Sequence, residues 1–308
     1  MLLSQISSLD ANGAAVLRDI LNISQFARLA EFREDGTDYV KTELKERSAP
    51  GFRAKNGSYT PENDNPTPEL EGLKFLGKEA ILDQSYKIDA EKGLLNLDVY
   101  KQRLLKRRAF ALGRGLDVQT FAGGGTGNDI LGFAGILDGT NVGNFGDTMV
   151  LNGLDLDLTA EANWNSFMEL LDEAIEDVPQ ANIIAVNGKL KAKINSMGRK
   201  FHSVAETKDA FGEHVMTYNG IPIVRLNDGA IPNDERNNAD TADTTTSLYV
   251  MRMEEIDGVC LSSNSGLRYT PFPELEASVT EKARMEIYYN ITIEAPDAIR
   301  RVEHLKIV

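Results

Sequence analysis

Glycine is concentrated in FAGGGTGNDILGFAGILDGTNVG, residues 121–143, where eight of 23 residues are glycine. Glycine-rich loops can cradle phosphates, because their backbone N–H groups approach a ligand closely. A P-loop also needs a lysine in GxxxxGK[ST], and GGGTGNDI has none. A dinucleotide fingerprint follows a strand, whereas this segment follows a predicted helix rich in cations. The pattern therefore favours a structural turn, with a nucleotide-binding enzyme as the alternative.

Four glycines stand where that helix is expected to end: Gly123, Gly124, Gly125 and Gly127. Glycine is the usual residue just past a helix C-terminus, because it adopts the left-handed conformation without steric cost. We interpret these four residues as structural glycines.

Other catalytic patterns are missing from the sequence. It has no GxSxG motif, and its three histidines, His202, His214 and His304, are scattered. A metal site at the first two would need a further ligand such as Glu206 or Asp209. The Asn/Asp-rich segment 227–240 lacks EF-hand spacing, so a calcium loop is disfavoured. We expect no catalytic residue, no cofactor and no metal, and hence no enzyme.

Composition narrows the class of protein further. The chain has 308 residues, is 42% hydrophobic and 26% charged, and carries a formal net charge of −14. Such an acidic chain is a poor free nucleic-acid binder, because phosphates are repelled by its general surface. Cys260 is the only cysteine, which excludes an intrachain disulfide and a thiolate zinc site. The N-terminus lacks a signal-peptide pattern and no apolar run approaches membrane length, so we expect no membrane partner.

A basic run interrupts this acidic composition. Its cations are Lys101, Arg103, Lys106, Arg107, Arg108 and Arg114. They lie in an amphipathic helix predicted over residues 94–121. The run is either a solvated face that pairs with acids of a neighbour, or a surface that faces a packaged polyanion.

The remaining elements alternate between helices and strands. We predict a weakly amphipathic helix or an arm over 9–33, helices over 163–178 and 188–198, and a short strand at 182–187. Residues 37–44 and 73–88 are predicted to form a long two-stranded hairpin around a tip containing Pro61, Pro66 and Pro68. Residues 200–220 and 228–247 are predicted as polar connections. Alternating apolar residues from Ala283 to Ile293 predict a long strand with one packed face.

The order of these elements resembles the major capsid protein of tailed bacteriophages, the Hong Kong 97-type fold, an α+β class. The resemblance is carried by LLNLDVYKQRLLKRRAFALGRGLDVQTFAGGGTG, LGFAGILDG, ANIIAVNGKLKAKINSM, YNGIPIVRLND and VTEKARMEIYYNITIEAPDAIRRVE. It implies an N-terminal arm at 1–37 and an extended hairpin at 38–90. It also implies a peripheral domain at 91–179 and 273–308, with a long spine helix, and an axial domain at 180–272.

The resemblance also implies roles for the residues singled out above. Pro61, Pro66, Pro68 and Lys74 would belong to a hairpin lying over a neighbouring subunit. Lys101, Arg103, Lys106, Arg107 and Arg108 would form a basic face inside a shell. The glycine segment would be the bend after the spine helix. Some members cross-link covalently, but Lys55, Lys74, Lys78 and Asn290 do not map onto that pattern.

The function implied is structural. Copies would assemble through pentamers and hexamers into an icosahedral phage head that encloses packaged double-stranded DNA. The partners would be further copies, a scaffolding protein, a portal and decoration proteins, in a virion assembled in the host cytoplasm. Scaffolding would come from elsewhere or be absent, because the arm begins close to Met1. The alternatives are an encapsulin-type shell enclosing a cargo enzyme and the nucleotide-binding enzyme already named.

Overall fold

The computed structural model describes residues 1–7, 9–34, 38–43, 67–137, 149–201, 203–208, 212, 214–233, 235–237, 240–271 and 280–307. Its helices are α1 (Leu3–Ile6), α2 (Ala11–Ile23), α3 (Gln25–Leu29), α4 (Ser85–Glu91), α5 (Leu97–Ala122), α6 (Phe133–Ile136), α7 (Trp164–Glu176) and α8 (Gly188–Phe201). Its strands are β1 (Phe32–Glu34), β2 (Asp38–Glu43), β3 (Thr67–Gly72), β4 (Lys74–Asp83), β5 (Val150–Asp157), β6 (Ile183–Val186), β7 (Val204–Lys208), β8 (His214–Tyr218), β9 (Ile221–Arg225), β10 (Glu235–Asn237), β11 (Asp240–Met251), β12 (Val259–Thr270), β13 (Thr280–Ile293) and β14 (Ile299–Lys306).

The smaller sheet has the strand order β1-β12-β13-β4. Strand β13 is central and antiparallel to both neighbours, with Val259 opposite Ile293 and Lys74 opposite Tyr289. Its alternate side chains from Ala283 to Ile293 are buried, which confirms the predicted strand with one packed face.

Helix α5 lies against this sheet and confirms the predicted long helix. The side chain of Asn96 accepts the N–H of Val99 and caps its first turn. Its 26 residues span about 39 Å at 1.5 Å per residue. Helix α2 packs closely on it at Gly113, where an added Cβ would lie 2.3 Å from the Ile23 side chain.

The larger sheet has the order β5-β14-β11-β6-β9-β8-β7, and β10 pairs with β11. Helices α7 and α8 bury their apolar stripes in a core with this sheet, through residues that include Phe167, Leu171 and Ile194. The other core joins the two sheets through α5, because Phe121 lies edge-on to Tyr249 of β11 at 5.3 Å.

The strand pairing of the hairpin differs from the prediction. Strand β2 pairs with β3, in the Pro-rich segment itself, rather than with residues 73–88. Strand β4 joins the smaller sheet instead, and residues 85–91 form α4. The prediction was wrong because β13 offers β4 an apolar partner face, which local sequence does not reveal.

Two segments predicted as polar connections contain strands. Residues 204–208 and 214–218 form the antiparallel pair β7 and β8, with Val204 opposite Tyr218. Residues 240–247 of the second segment belong to β11 (Asp240–Met251), in which Thr245, Thr246 and Ser247 are buried. Polar composition masked these strands, because tertiary pairing determines strand formation more than intrinsic preference does.

Sheet membership crosses the boundaries set from the sequence. Strand β12 lies within 180–272 but belongs to the smaller sheet. Strands β5 and β14 lie within 91–179 and 273–308 but belong to the larger sheet. Strand β1 of the predicted arm and strand β4 of the predicted hairpin also belong to the smaller sheet. The division into arm, hairpin, peripheral domain and axial domain stays a prediction.

Candidate functional site

The glycine segment forms a compact turn at the end of α5. Gly124 pairs with Leu131 in an isolated antiparallel bridge. The N–H groups of Gly123, Gly125 and Gly132 donate to the carbonyls of Gln119, Ile130 and Gly123, respectively. These three donors are used within α5 and the turn, so they are not available to a phosphate.

Two of these glycines have backbone conformations that favour glycine. Gly125 and Gly127 have φ of 65° and 64°. A Cβ on Gly125 would lie 2.8 Å from the Leu131 side chain, whereas nothing lies within 4 Å at Gly127. Conformation demands glycine at both positions, and packing adds a second constraint at Gly125.

Lys101 does not belong to an open basic face. Its Nζ lies 3.2 Å from Oε2 of Glu281, and the other oxygen of that carboxylate pairs with Lys87. Burial opposes ionisation of Glu281, but hydrogen bonds from the two lysines hold its pKa below the usual value. The charge of Lys101 is therefore paired within the subunit, and its place on an interior face stays a prediction.

The other cations predicted for the basic face are exposed: Arg103, Lys106, Arg107 and Arg108. At 100° per residue, Arg103 and Arg107 lie about 40° apart and share a stripe with Arg114. Arg108 lies about 140° from Arg103, on another side of α5. The exposed charge therefore covers more than one side of the helix.

The hairpin of β2 and β3 is attached beside the glycine turn. Asn290 Nδ2 of β13 donates to the carbonyl oxygen of Gly72 at 3.2 Å. A cavity of about 230 Å³ at this root is lined by residues that include Lys74, Asp129 and Asn290. Pro68 lies opposite Thr42 in the hairpin. Pro61 and Pro66 lie outside the described residues, and Lys74 belongs to β4 of the smaller sheet.

An apolar surface lies on the solvent side of β4 and around the start of α5. Phe75 is 64% exposed and Ile81 is 48% exposed, although Phe75 contacts Tyr288 edge-on at 4.4 Å. Ile88 and Leu94, between β4 and α5, are also exposed. We call these four residues the outer apolar patch. They lie between positions 75 and 94 of the chain, and large apolar side chains left exposed are typical of protein contact surfaces.

A buried carboxylate joins three segments that are distant in sequence. Asp117 of α5 accepts hydrogen bonds from Ser24 Oγ at 2.5 Å, Asn227 N at 3.1 Å and Asn227 Nδ2 at 2.6 Å. Asn227 Nδ2 also donates to the carbonyl of Ile23 at 3.0 Å. Burial raises the pKa of Asp117 to about 6, although these hydrogen bonds oppose the rise. The sequence analysis did not predict this network. The position of Asp117 on the apolar stripe of α5 could have indicated it.

His214 and His304, the histidines within the described ranges, form no recognisable metal site. His214 is exposed at the start of β8, Glu206 lies in β7, and His202 and Asp209 lie outside the described residues. His304 Nε2 lies 3.0 Å from a carboxylate oxygen of Glu303. Within the described ranges, no three His, Cys, Asp or Glu side chains are grouped to hold a metal ion.

No described helix has the length and apolarity needed to cross a membrane.

No protein-family model and no curated protein matches this sequence. Solved structures do match along nearly the whole chain. The holo-SrpI encapsulin complex from Synechococcus elongatus has a TM-score of 0.60 at 12% identity, covering 92% of this chain and 88% of its own. The capsid of a native GTA particle has a TM-score of 0.55 at 15% identity, covering 97% and 92%. The procapsid of satellite phage P4 has a TM-score of 0.52 at 9% identity, covering 95% and 99%. At these identities the likeness is one of fold, and it confirms the predicted α+β class and Hong Kong 97-type fold.

Proposed function

We propose that this chain, which has the Hong Kong 97-type fold, is a structural shell subunit that assembles through pentamers and hexamers into an icosahedral particle. The observation that carries the proposal is the likeness of fold, along nearly the whole chain, to proteins solved as parts of capsids and encapsulins. Its work on this proposal is assembly, without catalysis.

The hairpin and the outer apolar patch supply a physical reason for assembly. A two-stranded sheet is marginally stable alone, because it buries little apolar area. Strands β2 and β3 form such a sheet, separate from the other two sheets. On this proposal the hairpin lies over a neighbouring subunit, and the exposed Phe75, Ile81, Ile88 and Leu94 are covered in the particle. Weak contacts of this kind become stable when symmetry repeats them.

The finer proposal is a tailed-phage head that encloses double-stranded DNA. The long Pro-rich hairpin and the basic helix support this reading. Arg103, Lys106, Arg107 and Arg108 would line the interior and balance part of the phosphate charge, without Lys101. The expected partners are further copies, a scaffolding protein, a portal and decoration proteins. The expected location is the virion, after assembly in the host cytoplasm.

A shell that encloses a cargo enzyme is the second candidate, because the same fold occurs in the encapsulin complex. The two candidates differ in what the particle contains. The nucleotide-binding enzyme loses its support, since the turn's own hydrogen bonds engage the N–H groups of Gly123, Gly125 and Gly132.

Sedimentation velocity of the expressed protein, followed by nuclease treatment, tests both levels of the proposal. Particles far larger than the 33.9 kDa chain are expected, with nucleic acid that the nuclease cannot reach. Particles that hold a protein and no protected nucleic acid would favour the cargo shell. A monomer or dimer that persists with crowding agents and candidate scaffolds would contradict the shell proposal.

A further inference from the structure

We infer that a cation-lined cavity between the α2–α3 corner, α5 and the loop after β9 binds a phosphate group. The cavity has a volume of about 380 Å³. Its walls include Asn22 and Gln25 from the corner, Arg114 from α5, and Arg225, Asn227 and Asp228 from β9 and its loop. It shares no lining residue with the glycine turn, so it is a separate site.

The cavity is positively charged through side chains from several elements. Arg114 and Arg225 line it, and both are exposed. The pKa of Lys191 is lowered, first by burial and then by the neighbouring charges of Arg225 and Arg28. Of these three cations only Arg225 lines the cavity, so an anion bound there would face Arg225 and Arg114 directly and Lys191 at longer range.

Little negative charge offsets these cations at the cavity wall. Asp228 is the one carboxylate among the described lining residues. It lies 3.9 Å from Arg225 with its side chain 97% exposed, so water screens the pair strongly. The carboxylate of Asp117 lies beyond Asn227, which donates two hydrogen bonds to it.

Part of the cavity wall, the backbone at Arg225 and the side chain of Asn227, is held in place before any ligand arrives. The side-chain oxygen of Gln25 accepts the backbone N–H of Arg225 at 3.0 Å, which ties α3 to β9. Asn227 is fixed by its bonds to Asp117 and to the carbonyl of Ile23. Gly188 gives the guanidinium of Arg225 room, because a Cβ there would lie 3.0 Å from its Nε. A fixed site loses less conformational entropy on binding.

Phosphate is the anion that these walls suit. A guanidinium presents paired N–H donors that match phosphate oxygens, and two arginines from different elements can approach one group from two directions. A cavity of about 380 Å³ also leaves room for the atoms attached to that phosphate. The source would be inorganic phosphate or a phosphodiester of a nucleic-acid strand. The inference concerns a single subunit and does not depend on shell assembly.

Calorimetric titration at fixed salt tests the site with inorganic phosphate and with a short DNA duplex as probes. Arg114→Gln and Arg225→Gln should each weaken phosphate binding by about tenfold or more, as expected for a lost charge-assisted contact. Arg199→Gln is the control, because it removes the same charge from an exposed position of α8 that does not line the cavity. It should change phosphate affinity by less than about twofold, since a distant exposed charge is screened.

Asp228→Asn should tighten phosphate binding, because it removes a negative charge from the cavity wall. A folding defect would weaken binding, so it cannot produce this result. Competition between the duplex and phosphate would assign a phosphodiester, and binding of phosphate alone would assign the free ion; either result supports the site. Failure of the wild-type protein to bind both probes would overturn it. Equal losses in the Arg199→Gln and Arg114→Gln proteins, or weaker binding after Asp228→Asn, would also overturn it.

Discussion

Replacing Asp117 by asparagine should change how the stability of the subunit depends on pH. Burial raises the pKa of Asp117 to about 6, above its ordinary value of 3.8. As pH rises, the unfolded chain therefore loses this proton before the folded chain does. The stabilising contribution of the protonated group is complete below pH 3.8 and is lost as pH rises through about 6.

The size of this effect follows from the two pKa values. A tenfold change in proton affinity corresponds to about 1.4 kcal/mol, so ionisation costs the folded state ~3 kcal/mol in total. Between pH 5 and pH 7.5 the free energy of unfolding should fall by about 1.4 kcal/mol through this group alone. An asparagine side chain cannot ionise, so that part of the pH dependence should disappear in the Asp117→Asn protein.

Urea denaturation of dilute, unassembled protein, followed by the fluorescence of Trp164, measures this difference. Trp164 is the only tryptophan and is 7% exposed. Asp83→Asn is the control: hydrogen bonds from Ser85 lower the pKa of Asp83, so its titration is complete below pH 5. A wild-type minus Asp117→Asn difference that stays constant from pH 5 to pH 7.5 would refute the reasoning.

Three further predictions concern the turn, the paired lysine and the outer apolar patch. Gly125→Ala should lower the free energy of unfolding by about 2 kcal/mol and Gly127→Ala by about 1 kcal/mol, as measured by thermal denaturation. Both substitutions strain the backbone, but only the one at Gly125 adds a clash, with the Leu131 side chain. Lys101→Met should destabilise the subunit by about 1 kcal/mol, since it removes one partner of Glu281. The Lys101→Met substitution should leave the amount of nuclease-protected DNA per particle unchanged. A clear loss of protected DNA would show that Lys101 contributes to the interior face. Phe75→Ser should raise the protein concentration needed for assembly severalfold, which light scattering measures. If the variant assembles at the same concentration as the wild type, Phe75 is not part of the contact surface.

Sequence patterns were sufficient where an element's own residues determine its burial. The alternation from Ala283 to Ile293 predicted β13, because one face of a strand repeats every second residue. The apolar spacing predicted α5 to within a few residues. These two elements are central to the smaller sheet and its packing, so they also supported the resemblance of fold.

Sequence patterns failed where a distant partner determines the outcome. β3 contains Pro68 and is still a strand, because β2 lies beside it. The pairing of Lys101 depends on Glu281, which is 180 positions away in the chain and adjacent in space. The cation-lined cavity brings Gln25, Arg114 and Arg225 together from three separate elements. No local pattern carries that information, since the tertiary fold alone sets these distances.

Electron cryomicroscopy of the assembled protein tests the shell proposal most directly. The account predicts closed particles built from rings of five and six copies, with the β2–β3 hairpin of each copy lying over its neighbour. It also predicts that Phe75 and Ile81 are covered there. Isolated subunits under all assembly conditions, or particles in which each hairpin folds back on its own subunit, would contradict the account.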